Sequence, residues 1–322
     1  VKAVRLHKTG GPEVLAFEDV TLPPPGPDQI RIRHTAIGVN FIDTYHRSGL
    51  YKLPLPSGLG SEAAGIVEAV GENVRSFKKG DRAAYCMVVG AYAEAANVPA
   101  QRTVKLPDGI SDEAAAAGLL KGLTAQYLLK ATYRVQPGET ILVHAAAGGV
   151  GLLVCQWAKH LGARIIGTAG SEEKMRLARE HGADHMLNAR TDNIAAGVRA
   201  LTKDAGVPVV YDSVGKDSFA ASLDCLSPRG LLICFGNSSG PVPPFDLGIL
   251  NTKGSLYLTR PSLAHYMRSA EETAERANDL FSVVSKGIVS IPVHQRYALG
   301  DVRKTHEALE SRATTGASVL IP

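Results

Sequence analysis

At 322 residues the chain is long enough for two hydrophobic cores, and its 45% hydrophobic and 20% charged content is that of an ordinary globular protein. Thirty-five basic residues against 31 acidic ones leave a net charge of +4 without a run of like charges, so no nucleic-acid partner is expected. The start, Val1 to Gly10, alternates like a strand instead of showing a signal peptide's apolar centre, and no apolar segment is long enough to span a bilayer; a cytoplasmic protein with no membrane partner is expected. Cys86, Cys155, Cys225 and Cys234 lie scattered in apolar stretches, which predicts reduced, buried thiols.

In chain order, alternating runs separated by Gly and Pro turns predict strands at Ala3–His7, Ile30–Ile37, Ala64–Val70, Arg82–Cys86 and Tyr92–Val98. They suggest an antiparallel, barrel-like domain, with a short helix over Asn40–Ser48. After Pro107-Asp108-Gly109 the texture changes to helix formers. Ser111 is the expected N-cap and Asp112 and Glu113 fill the first turn, where negative charge is favoured; the helix is expected to run on to Thr132.

From Glu139 strands and helices alternate. Strands are predicted at Ile141–Val143, Arg164–Thr168, His185–Asn188, Val207–Asp212, Leu231–Phe235 and Ser255–Leu258. Helices are predicted at Glu172–His181, within Asn193–Thr202 and around Ser218–Leu226. Six such strands match a doubly wound parallel sheet of the Rossmann type. A long helix over Leu263–Lys286, a strand at Val293–Tyr297, a helix at Val302–Leu309 and a strand at Ser318–Ile321 then return to the first domain. The fold class is therefore α/β, with residues 1–122 and 263–322 forming one domain and 123–262 the other.

The stretch Glu139–Leu161 organises this reading. Strand residues Ile141 to Val143 run into the small-residue turn Ala145–Gly151, and a helix follows with Leu153, Val154, Trp157, Ala158 and Leu161 on one face. Such a turn exposes helix N-terminal N–H groups to an anion and suits a pyrophosphate. The G-x-G-x-x-G fingerprint reads Ala146, Gly148, Gly151, with an extra Gly149. An NAD-preferring site needs a carboxylate at the end of the second strand, about 20 residues on. Here that strand ends Thr168-Ala169-Gly170-Ser171, with Lys174 one turn later, so a 2′-phosphate is expected and NADPH is the expected cofactor.

Several motifs together carry a resemblance. They are Gly10–Leu15 (GGPEVL), Asn40–Tyr45 (NFIDTY), Arg47–Tyr51 (RSGLY), Lys121–Thr124 (KGLT), the turn His144–Gly151, Tyr211–Gly215 (YDSVG), Phe235–Asn237 (FGN), Ser311–Thr314 (SRAT) and the closing Leu320–Pro322. The chain resembles, nearly end to end, the zeta-crystallin-like quinone oxidoreductases of the medium-chain dehydrogenase/reductase superfamily. The resemblance implies a GroES-like β-barrel catalytic domain and a Rossmann domain, NADPH in the cleft between them, a quinone substrate, and a homodimer or higher oligomer built through the Rossmann domains.

It also implies site residues. Phe41, Ile42, Asp43, Thr44 and Tyr45 would approach the nicotinamide side, with Thr124 and Tyr127 from the bridging helix. Gly148, Gly149 and Val150 would meet the pyrophosphate, and Gly170, Ser171 and Lys174 the 2′-phosphate. Val214, Gly236, Asn237, Ser238, Ser239, Pro261, Ser262, Leu263 and Arg312 would close around the rest of the cofactor. One departure stands out: Leu187-Asn188 is followed by Ala189, where the bacterial-type pattern often carries tyrosine, so an adenine- or phosphate-side contact is expected to be missing.

Zinc-dependent relatives hold their metal at places that here carry Asn40, Ser61 and Leu120-Lys121, none a good zinc ligand, and no metal is expected. A quinone accepts a hydride or single electrons without Lewis-acid help, so the protein mainly has to position the nicotinamide against a flat substrate. Asn40, Tyr45 and Tyr51 are the catalytic candidates, as donors to charge developing on a quinone oxygen. Two alternatives stay open: an NADPH-dependent reductase of alkenals or enones, and a non-catalytic NADPH- or RNA-binding protein.

Overall fold

The computed structural model describes residues 1–322. By its contacts the chain divides into two compact units, the first made of residues 1–123, 266–286 and 291–322, the second of 124–265 and 287–290.

The first unit opens with β1 (Lys2–Leu6), β2 (Leu15–Asp19), β3 (Gln29–Gly38), α1 (Phe41–Ser48), β4 (Ser57–Gly58), β5 (Glu62–Val70), β6 (Arg82–Cys86), β7 (Ala95–Pro99) and β8 (Thr103–Lys105). Helix α2 (Asp112–Tyr127) follows and loosens into a π-helical turn at Leu128–Thr132. The second unit holds β9 (Thr140–Val143), α3 (Gly149–His160), β10 (Arg164–Ala169), α4 (Glu172–Glu180), β11 (His185–Asn188), α5 (Ile194–Leu201), β12 (Val207–Asp212), α6 (Phe219–Cys225), β13 (Leu226–Cys234), α7 (Gly248–Thr252) and β14 (Tyr257–Thr259). The chain then returns to the first unit with α8 (Ala270–Ser285), β15 (Val293–Ala298), α9 (Val302–Glu310) and β16 (Ala317–Ile321).

Two sheets build the first unit. One has three strands in the order β2-β1-β4; the other runs β15-β16-β3-β5-β6-β8, with β7 paired to β3. The long β3 pairs antiparallel with β5 from Ile30↔Val70 to Gly38↔Glu62, and alternate inward residues such as Ile30, Ile32, Val67 and Tyr85 fill the core. Strand β7 starts later than its sequence suggests because Tyr92 gives its N–H to Leu59 O (2.8 Å) instead of to a ladder partner. Strands β2, β4 and β8, of five, two and three residues, were too short or too exposed to carry a clear alternation.

The second unit has one six-stranded parallel sheet in the order β11-β10-β9-β12-β13-β14. Chain order reverses between β9 and β12, and parallel sheets of this kind bind ligands beyond the strand ends at that point. Helix α3 is buried on most of its surface, with Leu152, Leu153, Val154, Cys155, Trp157 and Ala158 within the interior. All four cysteines are free and buried.

The helix expected over Leu263–Lys286 is in fact two pieces, a 3-10 turn at Leu263–Tyr266 and α8. Ser269 caps α8 by accepting the Glu272 N–H (3.2 Å), while Glu272 Oε2 accepts the Arg268 N–H (2.9 Å). This S-x-x-E pattern starts a helix instead of continuing one. At α2 the Ser111 side chain caps as expected, accepting the Ala114 N–H at 3.1 Å.

Candidate functional site

In the second unit the turn after β9 is tightly constrained. Ala145 sits at φ 50°, left-handed for a residue with a side chain, and its neighbour Ala146 donates its N–H to Thr168 O at 2.9 Å. Gly148 is the N-cap of α3, and a Cβ on Gly151 would lie 2.4 Å from Ala145 O, so only glycine lets the helix approach the turn. Gly148, Gly149 and Val150 thus stand together where α3 begins, with helix N–H groups available to a phosphate. Replacing Ala145 by glycine should relieve the left-handed strain and raise stability by about 0.5–1 kcal/mol; urea unfolding checks this, and a loss would mean the methyl packs productively.

A buried network braces the strand ends behind the turn. Asp212 Oδ1 accepts the N–H groups of Val214 (2.8 Å) and Gly215 (3.1 Å), and Ser218 and Ser222 donate to the same carboxylate. Because the Ser222 hydrogen goes to Asp212, its oxygen accepts from His144 Nε2 at 3.0 Å, leaving His144 Nδ1 to accept from the Thr168 hydroxyl, also at 3.0 Å. Every hydrogen is used with His144 neutral. Burial lowers its pKa, partly offset by Asp212. The network ties β9, β10 and β12 to α6 at the point where the strand order reverses. The sequence places His144 at the start of the small-residue turn but does not show its partners Thr168 and Ser222.

Around the same strand ends, Ser171 caps α4 by accepting the Lys174 N–H at 3.3 Å, with Gly170 just before it. Val214 O accepts both the N–H (2.9 Å) and the hydroxyl (2.8 Å) of Ser239, and Ser238 N–H reaches Ser213 O at 3.2 Å. A Cβ on Gly236 would lie 2.5 Å from Ser213 O, so glycine is required there. The Asn237 amide, oriented to suit its neighbours, donates to Gly236 O and accepts from Arg260 Nη2, both at 2.9 Å. Thr124 and Tyr127, both buried, are three residues apart on one face of α2. Pro261 and Ser262 are half-buried and Leu263 is buried.

In the first unit, α1 carries the other candidates. Asn40 is its N-cap, Asp43 and Thr44 are buried, and Phe41, Ile42 and Tyr45 are half-buried. The rings of Phe41 and Tyr45 are 6.3 Å apart, and Tyr51 meets Tyr45 edge-on at 5.3 Å. Tyr45 and Tyr51 are therefore brought together as one aromatic surface. Asn40 stands apart from it: its Nδ2 donates to Glu62 Oε1 at 2.8 Å. Arg312 follows α9 in the left-handed region, at φ 59°.

Two buried carboxylates lie at the start of α1: Asp43 in its first turn and Glu62 on β5. Glu62 accepts from Asn40, from Lys121 Nζ (3.1 Å) and from the Leu120 N–H (2.7 Å), while Lys121 also donates to Val39 O at 3.2 Å. Asp43 accepts from the Ser61 hydroxyl (2.6 Å), the Asn40 N–H (2.9 Å) and the Tyr92 hydroxyl (2.8 Å). Burial pushes the Asp43 carboxyl up to about 6, against the pull of those donors. The Tyr92 hydroxyl continues to His306 Nε2 (3.2 Å), whose Nδ1 meets Arg47 Nη1 (3.1 Å), and Arg47 pairs with Glu310.

Two family descriptions match the sequence: "Alcohol dehydrogenase GroES-like domain" over residues 26–108 and "Zinc-binding dehydrogenase" over residues 149–282. A quinone oxidoreductase of Pseudomonas aeruginosa is 54% identical over 323 residues, spanning 100% of this chain and 99% of that protein. The chain belongs to the quinone oxidoreductase family of medium-chain dehydrogenases/reductases. Members similar to it include the Escherichia coli quinone oxidoreductase crystallised in complex with NADPH, with a TM-score of 0.99 and 51% identity over 100% of both chains. A 2-haloacrylate reductase of a Burkholderia species is 44% identical over 334 residues, covering 100% of this chain and 99% of the relative.

The donor set in this quinone oxidoreductase family member does not fit a zinc ion, despite the description of one matching family. Asn40 Nδ2 donates one hydrogen to Glu62 and offers no lone pair to a cation, the Ser61 hydroxyl donates to Asp43, and the Lys121 ammonium already supplies the positive charge beside Glu62. No group of three or more His, Cys, Asp or Glu side chains is arranged to hold a metal ion.

Proposed function

We propose that the protein is an NADPH-dependent, zinc-independent quinone reductase, transferring a hydride or single electrons to a quinone. The observation that carries this reading is the end-to-end likeness to the Escherichia coli quinone oxidoreductase complexed with NADPH. Bound NADPH supplies the reducing equivalents. The chain's own work is placement: Gly148, Gly149 and Val150 take the pyrophosphate, Gly170, Ser171 and Lys174 the 2′-phosphate, and Val214, Gly236 to Ser239, Pro261 to Leu263 and Arg312 are the candidates for the remainder. The rings of Tyr45 and Tyr51, packed edge to face, offer an apolar aromatic surface to a quinone, and their phenols are the candidate donors to its oxygen. Asn40 is held by Glu62 with its second amide hydrogen left for that role.

Residues 1–122 and 263–322 form the catalytic domain in this reading, and 123–262 the NADPH domain. A homodimer through the latter is supported by β14, an edge strand carrying Tyr257 at 61% exposure, with Leu247 nearby in sequence at 71%. The four free thiols suit the reducing cytoplasm.

Steady-state assays under NADPH with 1,4-quinones, enals and haloacrylates test the substrate. Turnover of quinones is expected, and turnover of activated alkenes alone would overturn the reading in favour of the chemistry named for the Burkholderia relative. Metal analysis of the active protein should find no stoichiometric zinc. Lys174→Ala should reduce kcat/KM for NADPH by about tenfold and leave NADH nearly unchanged; equal losses would remove Lys174 from the 2′-phosphate site.

A further inference from the structure

The end of β11 places a cation where none was expected. The β10–β11 ladder runs to Ala169↔Asn188 and is extended by the Ala189 N–H donating to Ala169 O at 2.8 Å, so Arg190 comes to lie beside Gly170. A Cβ built on Gly170 would lie 3.2 Å from Arg190 Nε and 3.8 Å from its Cζ. The guanidinium therefore lies close against Gly170, and a Cβ there would press it aside by a few tenths of an ångström. The loop is built to hold this geometry: Asn188 Oδ1 accepts the Arg190 N–H at 3.0 Å, and Asp192 Oδ2 accepts the Asn188 N–H at 2.7 Å.

The charges nearby leave the guanidinium available. Arg190 is exposed and makes no side-chain hydrogen bond or ion pair with the rest of the chain. Asp192, its closest acidic neighbour in sequence, uses its oxygens on the Asn188 N–H and the Thr191 hydroxyl (3.0 Å). In the first turn of α4, Glu172 pairs with Arg179 at 3.1 Å and Glu173 is exposed to solvent. No carboxylate stands at the tip of β10, which ends in Ala169.

We propose that Arg190 is a cofactor-selecting residue, whose guanidinium binds the 2′-phosphate of NADPH from the β11 side, opposite Ser171 and Lys174. The planar fork of an arginine takes two phosphate oxygens at once, which a lysine cannot do. Gly170 then has a second reason to be glycine: it gives the guanidinium its seat. This inference rests on the NADPH reading above.

The test uses the full chain and two fragments of the cofactor, 2′,5′-ADP and 5′-AMP, with binding measured by calorimetry so that no quinone turnover is needed. Arg190→Ala should weaken 2′,5′-ADP about ten- to hundredfold and leave 5′-AMP within about twofold. Arg190→Lys should restore only part of the loss, and kcat/KM should fall for NADPH but not for NADH. Equal weakening of both fragments would overturn the proposal, since it would mean that the guanidinium stacks on the adenine. Unchanged 2′,5′-ADP binding in Arg190→Ala would overturn it as well. Wild-type protein that binds the two fragments equally would instead remove the NADPH reading itself, and the role of Arg190 with it. Because the Arg190 side chain bonds to nothing else in the chain, the variants should fold as the wild type does, and circular dichroism checks this.

Discussion

Lys121→Met is expected to lower the free energy of unfolding by about 3 kcal/mol, the cost of leaving a buried carboxylate without its counter-charge. Glu62 is 0% exposed and the Lys121 side chain 8%, so water can replace neither partner. The Asn40 amide and the Leu120 N–H would still face Glu62, which keeps the loss toward the low end of the range for broken buried pairs. The double variant Glu62→Gln, Lys121→Met removes both charges and should recover most of the stability of the single one. Urea unfolding of the wild type, both single variants and the double variant gives the coupling between the two sites. A coupling below about 0.5 kcal/mol would mean that the pair is screened like a surface salt bridge. Any activity lost in Lys121→Met but kept in the double variant would trace to disorder of Asn40, whose amide shares the Glu62 oxygen with Lys121.

The parts that chain periodicity controls were legible without a structure. The alternation of Ile30 to Ile37 and the apolar runs Ile141–Val143 and Val207–Asp212 gave strands close to their observed limits, since burial of one or both faces dictates those residue types. The turn after β9 was readable because close approach of α3 leaves only small residues possible. Ser171 is readable as a cap because capping is local, whereas Ser269 sits within a stretch of helical character that masks the start of α8. The polar networks were not legible, because their partners are distant in sequence. Lys121 meets Glu62 across 59 positions, His144 meets Ser222 across 78, and Arg47 meets His306 across 259. No pattern of a single sequence announces such pairs. Arg190 had a weak signal, a basic residue just past the third parallel strand, but its position over Gly170 depends on the register of β10 and β11.

Stability should fall as the pH drops from about 6.5 towards 4, and His306→Gln should flatten that fall. Burial, with Arg47 beside it, holds His306 down to about 3, and burial holds His34 down to about 4. Both are neutral in the folded protein over this window and protonated in the unfolded chain, so unfolding takes up protons and acid favours it. Asp43 acts the other way. Its folded pKa of about 6 lies above the unfolded value, so between pH 6 and 4 the folded state holds a proton that the unfolded chain releases, and this term grows more favourable as pH falls. His306, His34 and Asp43 taken alone leave an uptake of about one proton near pH 5, or a loss of about 1.4 kcal/mol per pH unit, and the burial that lowers His144 and His46 acts in the same direction. The tautomer explains why glutamine is the right replacement. Tyr92 gives its hydrogen to Asp43 and therefore accepts from His306 Nε2, while Arg47 can only donate, so His306 Nδ1 accepts. Protonating Nδ1 would set two donors and two positive charges against each other. A glutamine amide offers one donor and one acceptor in place of the two ring nitrogens and cannot titrate. Urea midpoints for the two proteins from pH 7 to 4 should therefore diverge, with the variant less sensitive to acid; parallel curves would show that His306 is not the group that takes up the proton.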